Sequence, residues 1–145
     1  MNIRIKKLND LAKTPTIGST YAAGADLYAA TESDIELQPH QTVKVGTGIA
    51  IAIPEGCFGA IYARSGIATK QGLRPANCVG VIDSDYRGEV IVALHNDTEE
   101  SQLIPAGSRI AQLIVQRFCP IIFEEVSELN DTDRGSGGFG STGIK

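Results

Sequence analysis

The chain has 145 residues, of which 42% are hydrophobic and 21% charged, a composition typical of one soluble domain spanning residues 1–145. Its 17 acidic and 13 basic residues give a net charge of −4, which argues against a nucleic-acid partner because nucleic-acid-binding surfaces need a basic patch. No stretch approaches the ~18 apolar residues of a membrane span, and the start lacks the apolar core of a signal peptide. We therefore expect a cytoplasmic protein without a membrane partner.

Short runs of alternating apolar residues recur along the chain and predict β-strands. These runs are Ile3/Ile5, Val43/Val45, Ile49/Ile51/Ile53, Val90/Val92/Leu94, Ile110–Val115 and Ile121–Val126. Glycine and proline turn signals separate them. Only Ser65–Gln71, about two turns long, could be helical, with Ser65 as a candidate N-cap. The pattern predicts an all-β fold, a sandwich or barrel with one short helix.

The cysteines and histidines do not suggest a disulfide framework or a metal site. Cys57, Cys78 and Cys119 are far apart and form no CxxC pair, and each stands beside apolar residues, which predicts small buried side chains. His40 and His95 lack the spacing of metal ligands.

A carboxylate ends one predicted strand, where Asp83 follows the apolar run Val79–Ile82. A polar, glycine-bounded turn and the apolar run Val90–Leu94 come next, which predicts a hairpin. A charge at the edge of the core is costly unless it is paired or used, so Asp83 is a candidate functional residue. The structural alternative is that Asp83 and Asp85 only hydrogen-bond amides of the turn.

Two further segments carry polar groups among small or apolar residues. Arg64 and Ser65 follow the apolar run Phe58–Ala63 and open the predicted helix, whose free amides beside a guanidinium could bind phosphate. Asp26 lies within the small-residue segment Ala23–Ala30. The structural alternatives are a helix cap at Ser65 and a turn or cap at Asp26.

Residues 128–145 are predicted to form a mobile C-terminal arm. Arg134–Gly143 contains five glycines in ten residues, which is typical of a flexible terminus. Arg134 and Phe139 fit a passive linker poorly, because a guanidinium can clamp a phosphate and a phenyl ring can stack on a base. The segment is not a P-loop, since it lacks the Gly-Lys-Ser/Thr end.

In chain order these segments resemble the five motifs of the trimeric dUTPases, the dUTP pyrophosphatases. The motifs are Ala23–Ala30 (AGADLYAA), Ala63–Gly72 (ARSGIATKQG), Asn77–Val90 (NCVGVIDSDYRGEV), Gly107–Leu113 (GSRIAQL) and Arg134–Gly143 (RGSGGFGSTG). Five ordered motifs are far more specific than any one of them. One departure is Ser108, where many members carry an acid.

The resemblance implies a jelly-roll-like β-sandwich or barrel with a glycine-rich C-terminal arm. It also implies a homotrimer with shared active sites, in which the arm of one chain closes over a site formed by the other two. The implied reaction is hydrolysis of dUTP to dUMP and pyrophosphate by attack of water on the α-phosphorus, with Mg²⁺ as cofactor. Such a reaction removes dUTP and supplies dUMP for thymidylate synthesis.

The resemblance assigns nucleoside contacts to the third motif and the arm. Asp83 matches the acid that positions and deprotonates the attacking water, and Tyr86 matches a ring that packs on deoxyribose. The residues matching base contacts, partly through main-chain groups, are Asn77, Gly80, Val81, Ile82 and Asp83. Phe139 matches a stacking lid over the base, with Gly140 also in contact with substrate.

The resemblance assigns the phosphates to the remaining motifs. The residues matching phosphate contacts are Arg64, Ser65, Gly66 and Gln112. Arg134 matches a catalytic clamp on the γ-phosphate, and Asp26 matches an acid that holds Mg²⁺ through water.

Three other interpretations remain open at the level of sequence. A dCTP deaminase would share the fold and the triphosphate site, but it needs a catalytic Glu near the predicted hairpin, where this chain has Asp83. A non-catalytic nucleotide-binding protein on the same scaffold would be favoured by loss of Asp83 or of the arm. In a purely structural jelly-roll module, the polar residues would serve only as caps and turns.

Overall fold

The computed structural model describes residues 2–138, which contain twelve β-strands and one short helix. The strands are β1 (Arg4–Lys7), β2 (Thr16–Ile17), β3 (Ala25–Tyr28), β4 (Ile35–Leu37), β5 (Thr42–Gly46), β6 (Ile49–Ala52), β7 (Cys57–Tyr62), β8 (Leu73–Pro75), β9 (Gly80–Ile82), β10 (Ile91–Asn96), β11 (Gln102–Ile104) and β12 (Arg109–Arg117). The helix, α1, spans Ser65–Gln71. The prediction of an all-β fold with one short helix is confirmed.

The strands pair into four antiparallel sheets. The largest has the strand order β2-β3-β12-β7-β9, and a second has the order β5-β10-β8. Two-stranded sheets pair β1 with β6 and β4 with β11. The order shows that β9 is an edge strand, paired with β7 on one side only.

The core is formed by aliphatic side chains that alternate along these strands. Leu27, Leu94 and Ile110 are among its largest fully buried side chains. Each such residue contributes about 1.5–3 kcal/mol by leaving water. Truncating Leu94 to alanine would cost about 2–5 kcal/mol, because a cavity adds to the lost transfer energy.

The helix begins and ends where the sequence changes its backbone preference. Arg64 is the N-cap residue with extended backbone (φ −83°, ψ 133°), and no side chain caps the first turn. The prediction of Ser65 as the N-cap is therefore wrong, since Ser65 is already the first helical residue. Gly72 ends the helix at φ 62°, a left-handed conformation that glycine adopts without a steric penalty.

The predicted hairpin between Val79–Ile82 and Val90–Leu94 is also wrong. Strand β9 pairs with β7, whereas β10 pairs with β5 and β8, so the two runs enter different sheets. The two apolar runs identified both strands, but such runs carry no information about which neighbouring strand each one pairs with. The connection from Asp83 to Val90 is thus a crossing between two sheets.

Residues 118–138 contain no strand or helix, so the strand predicted at Ile121–Val126 is absent. The apolar side chains of this stretch are exposed, with Ile122 at 97% and Phe123 at 89%. A strand needs a neighbour with which to exchange backbone hydrogen bonds, and this stretch has none within the described part of the single chain.

The cysteine prediction is only partly confirmed. Cys57 is buried in the core, whereas Cys78 and Cys119 are exposed. Among residues 2–138, no helix has both the length and the apolar character needed to cross a membrane.

Candidate active site

Three charged side chains meet on the face of the five-stranded sheet, and we call them the arginine patch. Arg64 Nε donates to Asp26 Oδ1 at 2.7 Å, and Arg109 Nη1 donates to Asp26 Oδ2 at 3.1 Å. The Asp26 side chain is only 15% exposed, while Arg109 is 51% exposed. Charge-assisted bonds of this kind fix guanidinium orientation, so the patch presents two held cations around one carboxylate.

Sheet register brings the patch together from distant parts of the chain. Strand β12 lies between β3 and β7, and Gln112 is opposite Asp26 on one side and Tyr62 on the other. The Gln112 amide donates to the carbonyl of Ala63 at 2.9 Å, next to the start of the helix. The structure therefore brings the predicted residues Asp26, Arg64 and Gln112 to one place.

Ser65 and Gly66 form the first turn of the helix beside this patch. Both are exposed, and a β-carbon placed on Gly66 would meet nothing within 4 Å. The turn is closed by the amides of Ile67 and Ala68, which both donate to the carbonyl of Arg64. The space beside Gly66 in this first turn is therefore open.

A cleft of about 230 Å³ lies where β9 leaves the large sheet, and we call it the β9 cleft. Its walls are Ile61, Pro75, Asn77, Gly80, Val81, Ile82, Asp83, Tyr86, Glu89, Val90, Ile91, Val92 and Ala93. Because β9 is an edge strand, its outer backbone groups have no strand partner within the described residues. Unpaired amides and carbonyls beside an apolar wall can read the hydrogen-bonding edge of a flat ring.

Asp83 and Tyr86 stand at the exit of this cleft. Asp83 is exposed, and its carbonyl accepts a hydrogen bond from the Tyr86 amide at 3.2 Å. Tyr86 is 44% exposed, and its ring forms part of the wall of the cleft. Both side chains are therefore accessible to a molecule held in the cleft.

The backbone positions of Asp83 and Arg64 are far apart along the direction of strand β7. Ile82 is opposite Gly59 in the β7–β9 ladder, so Asp83 continues beside Phe58. Arg64 lies six residues after Phe58, just beyond the end of β7 at Tyr62. At ~3.3 Å per residue this separation is roughly 20 Å.

An exposed ion pair supports the segment that precedes Asn77. Arg74 binds Asp97 in a bidentate manner, with Nε–Oδ2 at 2.7 Å and Nη2–Oδ1 at 3.0 Å. These hydrogen bonds hold the pKa of the Asp97 carboxyl below its usual range, and the same pairing raises the pKa of Arg74. Arg74 Nη1 also points to the carbonyls of Pro75 and Ala76, which links the end of β10 to this turn.

The described part of the C-terminal arm makes a local turn. Arg134 Nε donates to the carbonyl of Gly137 at 2.9 Å, and the Gly135 amide donates to the carbonyl of Thr132 at 3.0 Å. Arg134 is exposed. Phe139 and Gly140, to which the sequence assigned substrate contacts, lie outside the described residues.

Comparison with known proteins identifies the family of this chain. A sequence profile of the dUTPase family matches residues 10–143. A deoxyuridine 5'-triphosphate nucleotidohydrolase of Finegoldia magna is 48% identical over 145 residues, covering 99% of each chain. The chain belongs to the dUTPase family.

Solved structures of two phage enzymes share the fold. The dUTPase of Staphylococcus bacteriophage 80alpha with dUPNHPP has a TM-score of 0.91 at 27% identity, covering 99% of each chain. A mutant dUTPase from phage phi11 of S. aureus has a TM-score of 0.81 at 22% identity over 90% of this chain and 100% of that chain. That phi11 structure concerns the coordination of a structural Mg(II) ion.

One residue of the patch was not predicted from the sequence to have a role. Arg109 and Gln112 differ by an odd number of positions, so strict alternation would put them on opposite faces of β12. A register shift between Arg109 and Ala111 changes this alternation and turns the Arg109 side chain toward Asp26. The only signal in the sequence was its place inside the fourth motif.

Proposed function

We propose that the chain hydrolyses dUTP to dUMP and pyrophosphate. The observation that carries this proposal is the β9 cleft, which has an unpaired strand edge along one wall and an exposed carboxylate, Asp83, at its exit. Its volume of about 230 Å³ suits one nucleoside, since drug-sized ligands fill ~300–1,000 Å³.

Uracil is read by the strand edge together with Asn77, Gly80, Val81 and Ile82. The wrong base would leave these polar groups unpaired, and such a mismatch can reject a substrate by roughly 10⁴ or more. Thymine is excluded by contact of its 5-methyl group with the packed wall of the cleft. Tyr86 packs on the deoxyribose, where a 2′-hydroxyl would clash.

Asp83 acts as general base for the attacking water. Its place at the exit of the cleft supports this role, because the α-phosphorus follows the sugar directly. A carboxylate that is exposed before substrate binds can accept the proton of a water molecule when substrate closes the site. The leaving group is pyrophosphate, so its charge must be neutralised by cations nearby.

The arginine patch supplies that neutralisation. Arg64, the first helical turn at Ser65 and Gly66, and Gln112 contact the phosphates, and Asp26 holds Arg64 in place. Phosphoryl chemistry depends mainly on positioning and on charge stabilisation, and two oriented guanidinium groups contribute both. The overall charge of −4 makes such local cations necessary.

Mg²⁺ is the cofactor of this reaction. Within residues 2–138 no group of three or more His, Cys, Asp or Glu side chains could hold a metal ion. This fits Mg²⁺, which keeps several waters and binds mainly through substrate phosphates and one or two carboxylates. Asp26 would be the carboxylate that holds it through water, and the ion would supply charge neutralisation on the triphosphate. Rates measured with a chelator and after addition of Mg²⁺ test this point.

The active unit is a homotrimer with sites shared between chains. If the base lies against Asn77 and the α-phosphate beside Asp83, the triphosphate points away from Arg64 of the same chain. The backbone of that Arg64 is roughly 20 Å from Asp83. Arg64, Ser65 and Gln112 must then come from a second copy. The exposed apolar side chains of residues 118–129, led by Ile122 and Phe123, also favour association between copies.

The C-terminal arm, residues 128–145, completes the site of a neighbouring chain. Arg134 binds the γ-phosphate and Phe139 stacks over the base, with Gly140 close to the substrate. Five glycines in Arg134–Gly143 make ordering costly in entropy, and the charge-assisted and stacking contacts offset this cost only when substrate is present.

Two experiments test the reaction and the assembly. Pyrophosphate release from dUTP, dCTP, dTTP and UTP should be rapid for dUTP alone, whereas ammonia release from dCTP would instead indicate the deaminase. Solution mass should correspond to three chains. Mixing inactive Asp83→Asn chains with inactive chains lacking residues 134–145 should restore activity in hybrids, and hybrids without any activity would contradict shared sites.

A further inference from the structure

The Tyr86 ring folds back over its own loop and lies directly above Gly88. A β-carbon built on Gly88 would clash with the Tyr86 Oη, and it would lie 2.6 Å from Cζ and 3.0 Å from Cε2. Real β-carbons do not approach other heavy atoms this closely. The observed ring position therefore requires a residue without a side chain at position 88.

The tip of the ring is also held by hydrogen bonds. Tyr86 Oη donates to the carbonyl of Glu89 at 3.0 Å. The Glu89 carboxylate accepts a hydrogen bond from the Gly48 amide at 2.7 Å, which attaches this end of the loop to the turn between β5 and β6. The hydrogen bond to Glu89 therefore holds the tip of the ring, and the absence of a side chain at Gly88 leaves room for the ring above it.

We propose that Gly88 is a positioning residue for sugar selection, because it alone permits the Tyr86 ring to lie as a fixed wall at the exit of the β9 cleft. Tyr86 lines the cleft, whereas Gly88 does not, so Gly88 acts only through the ring. This role rests on the proposed hydrolysis of dUTP. A wall that is fixed excludes a 2′-hydroxyl, whereas a displaced ring leaves room for it.

Alanine at position 88 isolates this effect. Gly88 does not have a positive φ, so alanine introduces no backbone strain there. The residue is exposed, so its substitution does not disturb the core. The three heavy atoms nearest to the added methyl group all belong to the Tyr86 side chain. We expect the ring to move and the fold to remain.

The test compares kcat/KM for UTP and dUTP in five forms of the full chain with Mg²⁺: wild type, Gly88→Ala, Tyr86→Ala, the double variant and Gly18→Ala. Gly18 is a matched control, since a β-carbon there meets nothing within 4 Å. The UTP:dUTP ratio should rise about tenfold in Gly88→Ala, within the ~10–200-fold range for steric discrimination of one small group. It should rise at least as much in Tyr86→Ala and stay at the wild-type value in Gly18→Ala.

The double variant separates positioning from general damage. If Gly88 acts only through the ring, adding Gly88→Ala to Tyr86→Ala should leave the ratio of Tyr86→Ala unchanged. Melting temperatures of all five forms should agree within a few degrees, and Gly88→Ser, which brings the same β-carbon, should repeat the result of Gly88→Ala.

An unchanged UTP:dUTP ratio in Gly88→Ala, beside a raised ratio in Tyr86→Ala, would overturn the role of Gly88 and leave the proposed function intact. A further rise in the double variant would also overturn it, because Gly88 would then act without the ring. A wild-type chain that releases no pyrophosphate from dUTP would contradict the proposed function, and the role of Gly88 would fall with it.

Discussion

The β9 cleft is built almost entirely from one continuous stretch of chain, whereas the arginine patch is assembled from three segments far apart in sequence. Every wall residue of the cleft except Ile61 lies between positions 75 and 93. In the patch, Asp26 is 38 residues from Arg64 and 83 residues from Arg109. The first site depends on local backbone conformation and the second on sheet register.

This difference predicts different responses to substitution. In the proposed binding mode each side chain of the cleft has its own contact with substrate, so effects of substitution should be specific to one part of the nucleotide. In the patch, Asp26 is shared by two guanidinium groups, so removing any member changes the others. Coupled residues of this kind give non-additive effects.

The largest effect is expected at the exit of the cleft. Asp83→Asn should preserve the fold and dUTP binding but lower turnover by about 10² or more, because the amide cannot take a proton from water. Single-turnover rates and a binding measurement separate the two properties. Asp85→Asn, an exposed carboxylate two residues away, is the control and should retain wild-type turnover. Near-normal turnover in Asp83→Asn would remove this residue from the mechanism.

The second-largest effect is expected for the C-terminal arm, which is part of neither the β9 cleft nor the arginine patch. Arg134→Ala should lower turnover by roughly 10–10³, by analogy with other arginines that stabilise charge on a transferring phosphoryl group. Arg134→Lys keeps the charge without the bidentate fork and should recover only part of the loss. Deleting residues 134–145 should remove most activity and leave the melting temperature nearly unchanged. Full activity after deletion would show that the arm is an ordinary flexible terminus.

A smaller effect should show the coupling within the patch. Asp26→Asn weakens the hold on both guanidinium groups and should raise KM for dUTP about tenfold, equivalent to about 1.4 kcal/mol. Arg109→Gln should have less effect in the Asp26→Asn background than in wild type. Asp10→Asn serves as an exposed control. Strictly additive effects of Asp26→Asn and Arg109→Gln would contradict the description of the patch as one unit.

The smallest effect is expected at Asp97, on the turn that supports the cleft. Because Arg74 lowers the pKa of Asp97 in the folded state, the pair stabilises the fold above the unfolded-state pKa of about 3.9. That contribution is lost as pH falls further through the folded-state pKa. Melting temperature between pH 6 and pH 3 should therefore fall slightly less steeply in Asp97→Asn than in wild type. Identical profiles would show that solvent screening cancels the pair.

The sequence predicted the fold class and the local elements better than the way in which the strands pair. Alternation located β1, β5, β6, β10 and β12, and the helix was predicted at Ser65–Gln71, because these signals are local. It failed where partners decide the outcome. The apolar runs before and after Asp83 form strands of two different sheets. Ile121–Val126 forms no strand, because no neighbouring strand is available to it among the described residues.

The arginine patch shows the same limit at the level of side chains. Motif resemblance named Asp26, Arg64 and Gln112, but it could not show that Asp26 binds two arginines. The register shift that turns Arg109 toward Asp26 depends on how β12 pairs with β3, and a single strand carries no such information.

The open edge of β9 has a consequence for the behaviour of the protein in concentrated solution. An edge strand with free backbone groups can accept a strand from another molecule, which is a common start of aggregation. Here the exposed edge is only three residues long, Gly80–Ile82, and it is followed at once by the exposed carboxylates Asp83 and Asp85. Short length and negative charge both disfavour strand addition, so this open edge of the cleft is protected from pairing with other copies of the chain.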